Sequence, residues 1–186
     1  MAETQILKKK KKWFTVIAGP EFKNFEIGET LGNENAKLIG RTLEVNLANV
    51  TQDPKSQNIK IKFKIINVKD NQADADVISY EMLSTYIKRL IKPAKEKMDD
   101  SFIYKTKDDI NVKIKTLILT KAKTKHSILS SIRHKSREYL QDYCKKSEYK
   151  TLIADLAFHN LQKELKTILK KIYPLSVCEV RKMERF

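Results

Sequence analysis

The sequence predicts an α+β protein: a largely antiparallel β-sheet, open or curled into a barrel, with three helices packed on it. Three observations favour this fold class. Apolar and polar residues alternate with period two in parts of residues 38–120, as they do in half-buried strands. Apolar residues recur at steps of three and four between residues 124 and 173, as they do in helices on a core. The 186 residues are 41% hydrophobic, which is enough for a substantial core.

The first strands are predicted before residue 66. Residues 13–18 form a short apolar run that Gly19-Pro20 ends. Residues 38–50 alternate, with Leu43, Val45 and Leu47 on one side. A loop is expected at 51–58, because this run contains Pro, Asp, Ser and Asn. Residues 59–65 then alternate apolar side chains with Lys60, Lys62 and Lys64, so we expect an antiparallel pair with these lysines on its outer face.

A helix is predicted over residues 79–92, where apolar side chains have helical spacing, and Pro93 ends it. Residues 101–106 and 110–120 are predicted to form a second strand pair. The carboxylate pairs Asp99-Asp100 and Asp108-Asp109 are both assigned to turns, where Asp makes local hydrogen bonds.

Two longer helices follow. One begins at about Ser127, and its apolar stripe consists of Ile128, Ile132, Leu140 and Tyr143. The other is expected from Tyr149 to Ile172, before Pro174. Its buried face is predicted to contain Ile153, Ala157, Leu161, Leu165, Ile168 and Ile172.

The chain is thus expected to have two parts. Residues 1–12 are a basic N-terminal arm, and residues 13–186 are a single α+β domain. Within that domain, residues 13–120 are rich in strands, residues 124–173 are helical, and residues 175–183 return to the sheet as a strand.

The charge indicates a polyanionic partner. Lys and Arg outnumber Asp and Glu by 38 to 23, a formal charge of +15. Residues 84–150 alone contain eighteen basic and eight acidic residues, a net charge of +10. Nucleic acid is the commonest partner that neutralises such an excess.

Several other classes of protein are disfavoured. The sequence has no apolar run of 18 residues for a membrane span and no secretory signal, so a cytoplasmic protein is expected. Its two cysteines, Cys144 and Cys178, are far apart and indicate neither a disulfide framework nor a zinc site. Only four glycines are present, which disfavours a phosphate-binding loop.

No catalytic, metal or cofactor site is predicted. The histidines, His126, His134 and His159, have no metal-ligand spacing. Ser130-Ser131 lacks the glycine elbow of a serine nucleophile. The paired aspartates suit acid–base or magnesium chemistry, but a turn explains them more simply.

The candidate RNA-binding residues lie in two basic clusters. The first is the arm, where five lysines precede an aromatic pair that offers a stacking surface. The second is the segment 121–137, where a strand passes into a helix and backbone donors, helix dipole and cations can converge on phosphates. Arg133 and Arg137 are four residues apart and share a helix face. The complete candidate set is Lys8, Lys9, Lys10, Lys11, Lys12, Trp13, Lys121, Lys123, Lys125, His126, Arg133, His134, Lys135, Arg137, Arg181 and Lys182.

Five segments resemble a known family, the eS1 (S3Ae) ribosomal proteins of the small subunit in archaea and eukaryotes. They are WFTVIAGPEF at 13–22, IGETL at 27–31, LIGRTLEVNLANVT at 38–51, YKTKDDINVKIKTLILTKAKTKHSILSSIRHKSREYL at 104–140 and KKIYPLSVCEVRKMERF at 170–186. The resemblance implies a structural constituent of the subunit platform near the messenger exit, bound to ribosomal RNA and neighbouring ribosomal proteins. The short arm and the early end of the chain favour an archaeal-type member. Residues 70–80 match weakly, and no contact is carried over to them.

Two rival functions are weighed against this one. A free-standing RNA-binding β-barrel protein shares the charge and the strands, but it requires several exposed aromatic residues on one sheet face. An RNA-modifying or RNA-cleaving enzyme requires a convergent acid–base or metal set, which the sequence does not offer.

Overall fold

The computed structural model describes residues 11–33 and 35–186. This part of the chain folds into an α+β structure with one sheet, as the sequence predicts. Its strands and helices, in chain order, are β1 (Lys12–Ala18), β2 (Glu26–Gly32), β3 (Thr42–Asn46), α1 (Leu47–Thr51), β4 (Ile59–Lys69), β5 (Gln72–Met82), α2 (Ser84–Leu90), β6 (Lys97–Lys105), β7 (Asn111–Thr120), α3 (His126–Lys146), α4 (Tyr149–Ala157), α5 (Asn160–Lys170) and β8 (Leu175–Arg185).

The sheet is largely antiparallel and open. Its strand order is β2-β1-β5-β8-β7-β6, with β4 pairing to β5 and β3 pairing to β4. The one parallel pair in the described chain is β1 with β5. Strands β2, β3 and β6 each have a single strand partner, so the sheet has edges and does not close into a barrel.

Strand β4 follows the predicted alternation. Its apolar side chains Ile59, Ile61, Phe63 and Ile65 are buried. It pairs antiparallel with β3, as expected, but β3 is shorter than the predicted strand at 38–50. Gly40, at φ +88°, precedes β3, and the side chain of Asn46 accepts a hydrogen bond from the Ala48 N–H (3.0 Å) to begin helix α1.

The predicted helix at 79–92 is wrong in its first turn. Residues 79–82 are the end of β5, where Tyr80 opposes Ile61 and Met82 opposes Ile59. Tyr80 and Met82 are buried by this pairing, and helix α2 begins only at Ser84. The sequence analysis did not predict β5 or β2. β2 contains two Glu and two Gly, and β5 contains two Ala, two Asp and one Glu, all residues with low strand propensity.

The two aspartate pairs differ in their placement. Asp99 and Asp100 belong to β6, which pairs with β7 as far as Lys97, so their assignment to a turn is wrong. Asp108 and Asp109 do lie in the turn between β6 and β7. Asp108 accepts a hydrogen bond from the Tyr149 N–H (2.9 Å) and thereby fixes the start of α4.

The predicted helix at 149–172 is divided in two. His159 has a left-handed backbone (φ +59°) that separates α4 from α5. With this division and the unpredicted α1, the described chain has five α-helices rather than three. The predicted face is otherwise buried: Leu161 is 0% and Leu165 1% exposed. Ile168 is half-buried, and Ile172 lies beyond the end of α5 and is 39% exposed.

The two faces of the sheet are covered unequally. Helices α3 and α5 pack on one face through a cluster that contains Ile118, Ile132 and Leu165. On the other face α2 covers Leu117 and Leu119. Beyond α2, no other described helix packs on this second face, which is called here the open sheet face. One row of directly paired residues crosses it: Glu44, Lys62, Ser79, Glu184, Lys113 and Ile103.

Candidate nucleic-acid interface

The turn between β7 and α3, residues 121–125, presents three exposed lysines and is called here the basic turn. The Thr120 hydroxyl donates to the carbonyl of Ala122 (2.7 Å), and the Lys121 N–H donates to the carbonyl of Pro174 (3.1 Å). These bonds hold the turn against the main body of the protein. Lys121, Lys123 and Lys125 have no carboxylate within ion-pair distance among the described residues. Their charge is therefore available to an anion.

The basic turn leads directly into the N-terminus of α3. Lys125 is the N-cap residue and makes no side-chain cap hydrogen bond. The first turn of this 21-residue helix contains no acidic residue. Its free N–H groups and its dipole add to the positive potential of the three lysines, which is the arrangement that binds phosphate at helix N-termini. His126 and His134 are exposed on the same helix.

Arg133 and Arg137 project from α3 over the edge strand β6. The Nε of Arg133 lies 2.7 Å from Oδ1 of Asp100, a carboxylate that is only 12% exposed. The guanidinium of Arg137 lies 5.6 Å from the centre of the Phe102 ring. Both arginines therefore occupy one face of α3 above adjacent positions of β6, with part of each guanidinium in solvent. Lys135, by contrast, pairs with Glu138 on the same helix (3.1 Å).

Arg181 and Lys182 lie on β8, away from the basic turn, and both are engaged by carboxylates. Nη1 of Arg181 is 2.6 Å from Oδ2 of Asp99, which also contacts Lys97. Lys182 contacts Glu184 and Glu81, and the hydrogen bond that its ammonium donates to the Glu184 carboxylate raises the pKa of Lys182. A phosphate competes with these carboxylates for either cation.

The arm is only partly described. Lys8, Lys9 and Lys10 lie outside the described residues, while Lys11 and Lys12 are exposed. The aromatic pair is divided between core and surface: Phe14 is 3% and Trp13 is 63% exposed. Trp13 lies on β1 opposite Leu31 and presents its ring to solvent. It is therefore free to stack on a nucleobase.

The two predicted clusters are far apart on the sheet. In the strand order, β1 is separated from β7 by β5 and β8. At the usual inter-strand spacing this is a distance of about 15 Å between the two strands. Trp13 and the basic turn therefore do not form one pocket. They suit two contacts along an extended RNA surface.

The described residues offer no assembled catalytic or metal centre. They contain no group of three His, Cys, Asp or Glu side chains placed to hold a metal ion. Nδ1 of His159 lies 3.6 Å from Glu179, far in sequence from the other two histidines. Both cysteines are buried, and burial raises the pKa of each thiol to about 12, so neither is activated as a nucleophile.

The positions of the exposed aromatic residues test the alternative of a free-standing RNA-binding β-barrel protein. Trp13, Phe158 and Phe186 are the large exposed aromatics of the described chain. Trp13 lies on β1, Phe158 at the break between α4 and α5, and Phe186 after β8. They do not form the stacking platform on a single sheet face that such proteins use.

The sequence analysis did not find the partners of the candidate arginines. Asp99 and Asp100 fix Arg181 and Arg133, and Phe102 lies beneath Arg137. A local signal for them existed. In the sequence, the apolar residues Met98, Phe102 and Tyr104 lie at even positions, as in a strand, so an earlier start of β6 would have placed Asp100 and Phe102 on one face.

The fold and this surface define a basic α+β protein whose exposed cations collect where a strand passes into a long helix. None of its described helices is long and apolar enough to cross a membrane. The chain belongs to the ribosomal S3Ae family, whose model matches residues 7–186. This confirms the resemblance found in the sequence.

Relatives in archaea share the match over most of their length. The chain is similar to the small ribosomal subunit protein eS1 of Nanoarchaeum equitans, with 32% identity over 89% of this chain and 84% of the relative. It is 33% identical to eS1 of Staphylothermus marinus, over 94% of this chain and 82% of the relative. It is 30% identical to eS1 of Haloquadratum walsbyi, over 98% of this chain and 87% of the relative.

Proposed function

We propose that this chain is a non-enzymatic, structural constituent of the small ribosomal subunit in the cytoplasm. In this role it binds ribosomal RNA on the subunit platform near the messenger exit and contacts neighbouring ribosomal proteins. The observation that supports the proposal most strongly is membership of the ribosomal S3Ae family over almost the whole chain. Relatives at about 30% identity are named as small ribosomal subunit proteins.

The basic turn and α3 are proposed as the main RNA contact. Lys121, Lys123 and Lys125 support this because they are exposed, unpaired within the described chain and next to a helix N-terminus. Arg133 and Arg137 add two guanidinium groups, which can bind phosphate through parallel hydrogen bonds. The arm with Trp13 is proposed as the second contact. Arg133, Arg181 and Lys182 are expected to contribute less than the unpaired lysines, because each already pairs with a carboxylate.

Sedimentation tests the assignment to the ribosome. The tagged full-length chain, expressed in an archaeal host, is separated on sucrose gradients at moderate and at high salt. We expect it to co-sediment stoichiometrically with the small subunit under both conditions. A chain that runs mostly as light material would contradict the proposal and favour a free-standing RNA-binding protein.

Binding to fragments of small-subunit RNA over a salt series tests the site. Each phosphate contact releases counterions, so the affinity falls with salt with a slope of about 0.9 per contact. We expect Lys121→Ala/Lys123→Ala/Lys125→Ala to flatten the log–log slope by roughly 2–3. The matched control is Arg181→Ala/Lys182→Ala, which removes two paired cations. If the triple variant keeps the wild-type slope, the basic turn is not the main RNA contact, which must then lie elsewhere on the protein.

A further inference from the structure

The open sheet face contains a groove whose lining includes no residue of the basic turn and neither of the described arm residues Lys11 and Lys12. Two adjoining cavities of about 670 Å³ and 480 Å³ lie along it and share Ile78, Arg185 and Phe186 in their walls. The first cavity extends across β4, β5, β8 and β7 to Ile103 on β6. The second extends past the outer part of β4 to Ile39. Together they form a continuous depression across the sheet.

Apolar side chains line this groove without packing into a core. Ile39, Ile66, Ile103 and Phe186 are each at least half exposed, at 53%, 50%, 61% and 65%. Single exposed apolar residues are ordinary on protein surfaces, but a contiguous set along a groove marks an interaction site. Three of the four are aliphatic. This composition suits a polypeptide better than nucleobases, which stack on aromatic rings.

The charges of the groove are mixed but unbalanced. Four carboxylates on its walls each lie within 4 Å of a cation: Glu44 contacts Lys62, Glu81 and Glu184 contact Lys182, and Asp76 contacts Arg185. Lys60, Lys64 and Lys113 also line the two cavities and have no carboxylate within ion-pair distance among the described residues. The six cations of the groove thus exceed its four carboxylates by two, and three of the ammonium groups lie beside aliphatic side chains without an ion-pair partner among the described residues.

We infer that the groove is the docking surface for an acidic segment, containing aliphatic side chains, of a neighbouring protein in the small subunit. This inference rests on the function proposed above. The aliphatic side chains of the segment bury Ile66 and Ile103, and its carboxylates pair with Lys60, Lys64 and Lys113. RNA fits this surface less well, because three of its four exposed apolar side chains are aliphatic and offer no ring on which a base can stack. A second copy of this chain fits less well too, since each copy has a formal charge of +15.

A photo-crosslinking experiment in assembled subunits tests the inference. Ile103→p-benzoylphenylalanine places a crosslinker at an exposed position, so the substitution leaves the core intact. After irradiation, the crosslinked material is divided into protein and RNA products, and the attached peptide is sequenced. We expect a protein product whose crosslinked segment is rich in Asp and Glu. A product with ribosomal RNA, a product with a basic segment, a product with a second copy of this chain, or no product at all would each overturn the inference.

Two further variants isolate the charge and the proposed function. Adding Lys60→Glu/Lys113→Glu to the crosslinker variant should abolish the protein product, whereas Lys145→Glu/Lys170→Glu, an equal charge change on exposed helix positions, should retain it. A product that survives Lys60→Glu/Lys113→Glu excludes the charge pairing. A separate Lys123→p-benzoylphenylalanine variant reports the proposed RNA contact. If Lys123 crosslinks to RNA while Ile103 gives no acidic segment, only the inference about the groove fails. If the chain does not enter subunits, the proposed function fails.

Discussion

The basic turn contains three lysines and the groove of the open sheet face contains six cations, but the two regions also differ in what surrounds these cations. In the basic turn, Lys121, Lys123 and Lys125 follow one another without a carboxylate between them. On the open sheet face, carboxylates interleave with the lysines and pair with Lys62, Lys182 and Arg185. At the turn, the positive charge of the lysines is not reduced by nearby carboxylates. At the sheet, carboxylates neutralise most of the positive charge that a phosphate would contact. The carboxylates that lie among the cations of a region are therefore as important for RNA binding as the number of cations.

Loss of packing beneath α3 has the largest expected effect. Leu165 of α5 packs in one cluster with Ile132 of α3 and Ile118 of β7, and it is 1% exposed. Leu165→Ala should lower the free energy of unfolding by roughly 2–5 kcal/mol, because the cavity cannot collapse fully. Urea denaturation measures this change. Ile172→Ala is the control, since Ile172 is 39% exposed, and an equal loss for both variants would show that burial does not set the difference.

The matched charge variant on the sheet tests the comparison itself. Lys60→Ala/Lys64→Ala/Lys113→Ala removes as many lysines as the triple variant of the basic turn. We expect the salt slope of RNA binding to change by less than about 1, against roughly 2–3 for the turn. Equal changes of slope for the two triple variants would mean that the sheet and the turn both bind RNA. The comparison would then fail.

Trp13 provides a test of the second RNA contact. Trp13→Ala should weaken binding to single-stranded fragments of small-subunit RNA by about 1–3 kcal/mol through the loss of one stacked base. Because Trp13 is 63% exposed, the melting temperature of the Trp13→Ala variant should remain close to that of the wild type. Trp13→Phe is the control and should retain most of the affinity. If the Trp13→Ala variant binds RNA as tightly as the wild type, Trp13 is not an RNA contact, and only the basic turn remains of the two proposed contacts.

The smallest expected effect concerns a cation that is exposed but paired. Lys135 contacts Glu138 three residues later on α3, and both side chains are more than half exposed. Lys135→Gln should lower the free energy of unfolding by only about 0.2–0.5 kcal/mol. It should also change RNA affinity less than Lys123→Gln does, because Lys123 has no such partner among the described residues. A larger loss of RNA affinity for Lys135→Gln would reverse the order of paired and unpaired cations proposed here.

Helix α3 shows which features the local sequence pattern can predict. The predicted stripe of this helix includes Ile132 and Leu140, and both are completely buried. Arg133 and Arg137 were expected to share a face, and both contact β6. Helical periodicity determines such relations, because residues four apart lie on one side of a helix whatever surrounds it. Helical periodicity does not determine which residues of the rest of the protein contact that side.

The sequence by itself determined the α+β class, the alternation of β4, the turn at Asp108-Asp109 and the concentration of charge in residues 84–150. These depend on side-chain chemistry over a few neighbouring residues. Only the tertiary structure decided that residues 79–82 extend a strand, that His159 divides the last helix, and that Arg181 meets Asp99 across 82 residues of sequence. The reason is physical. Strand pairing, the packing that offsets a left-handed residue, and ion pairs all depend on distant residues, so no local pattern encodes them.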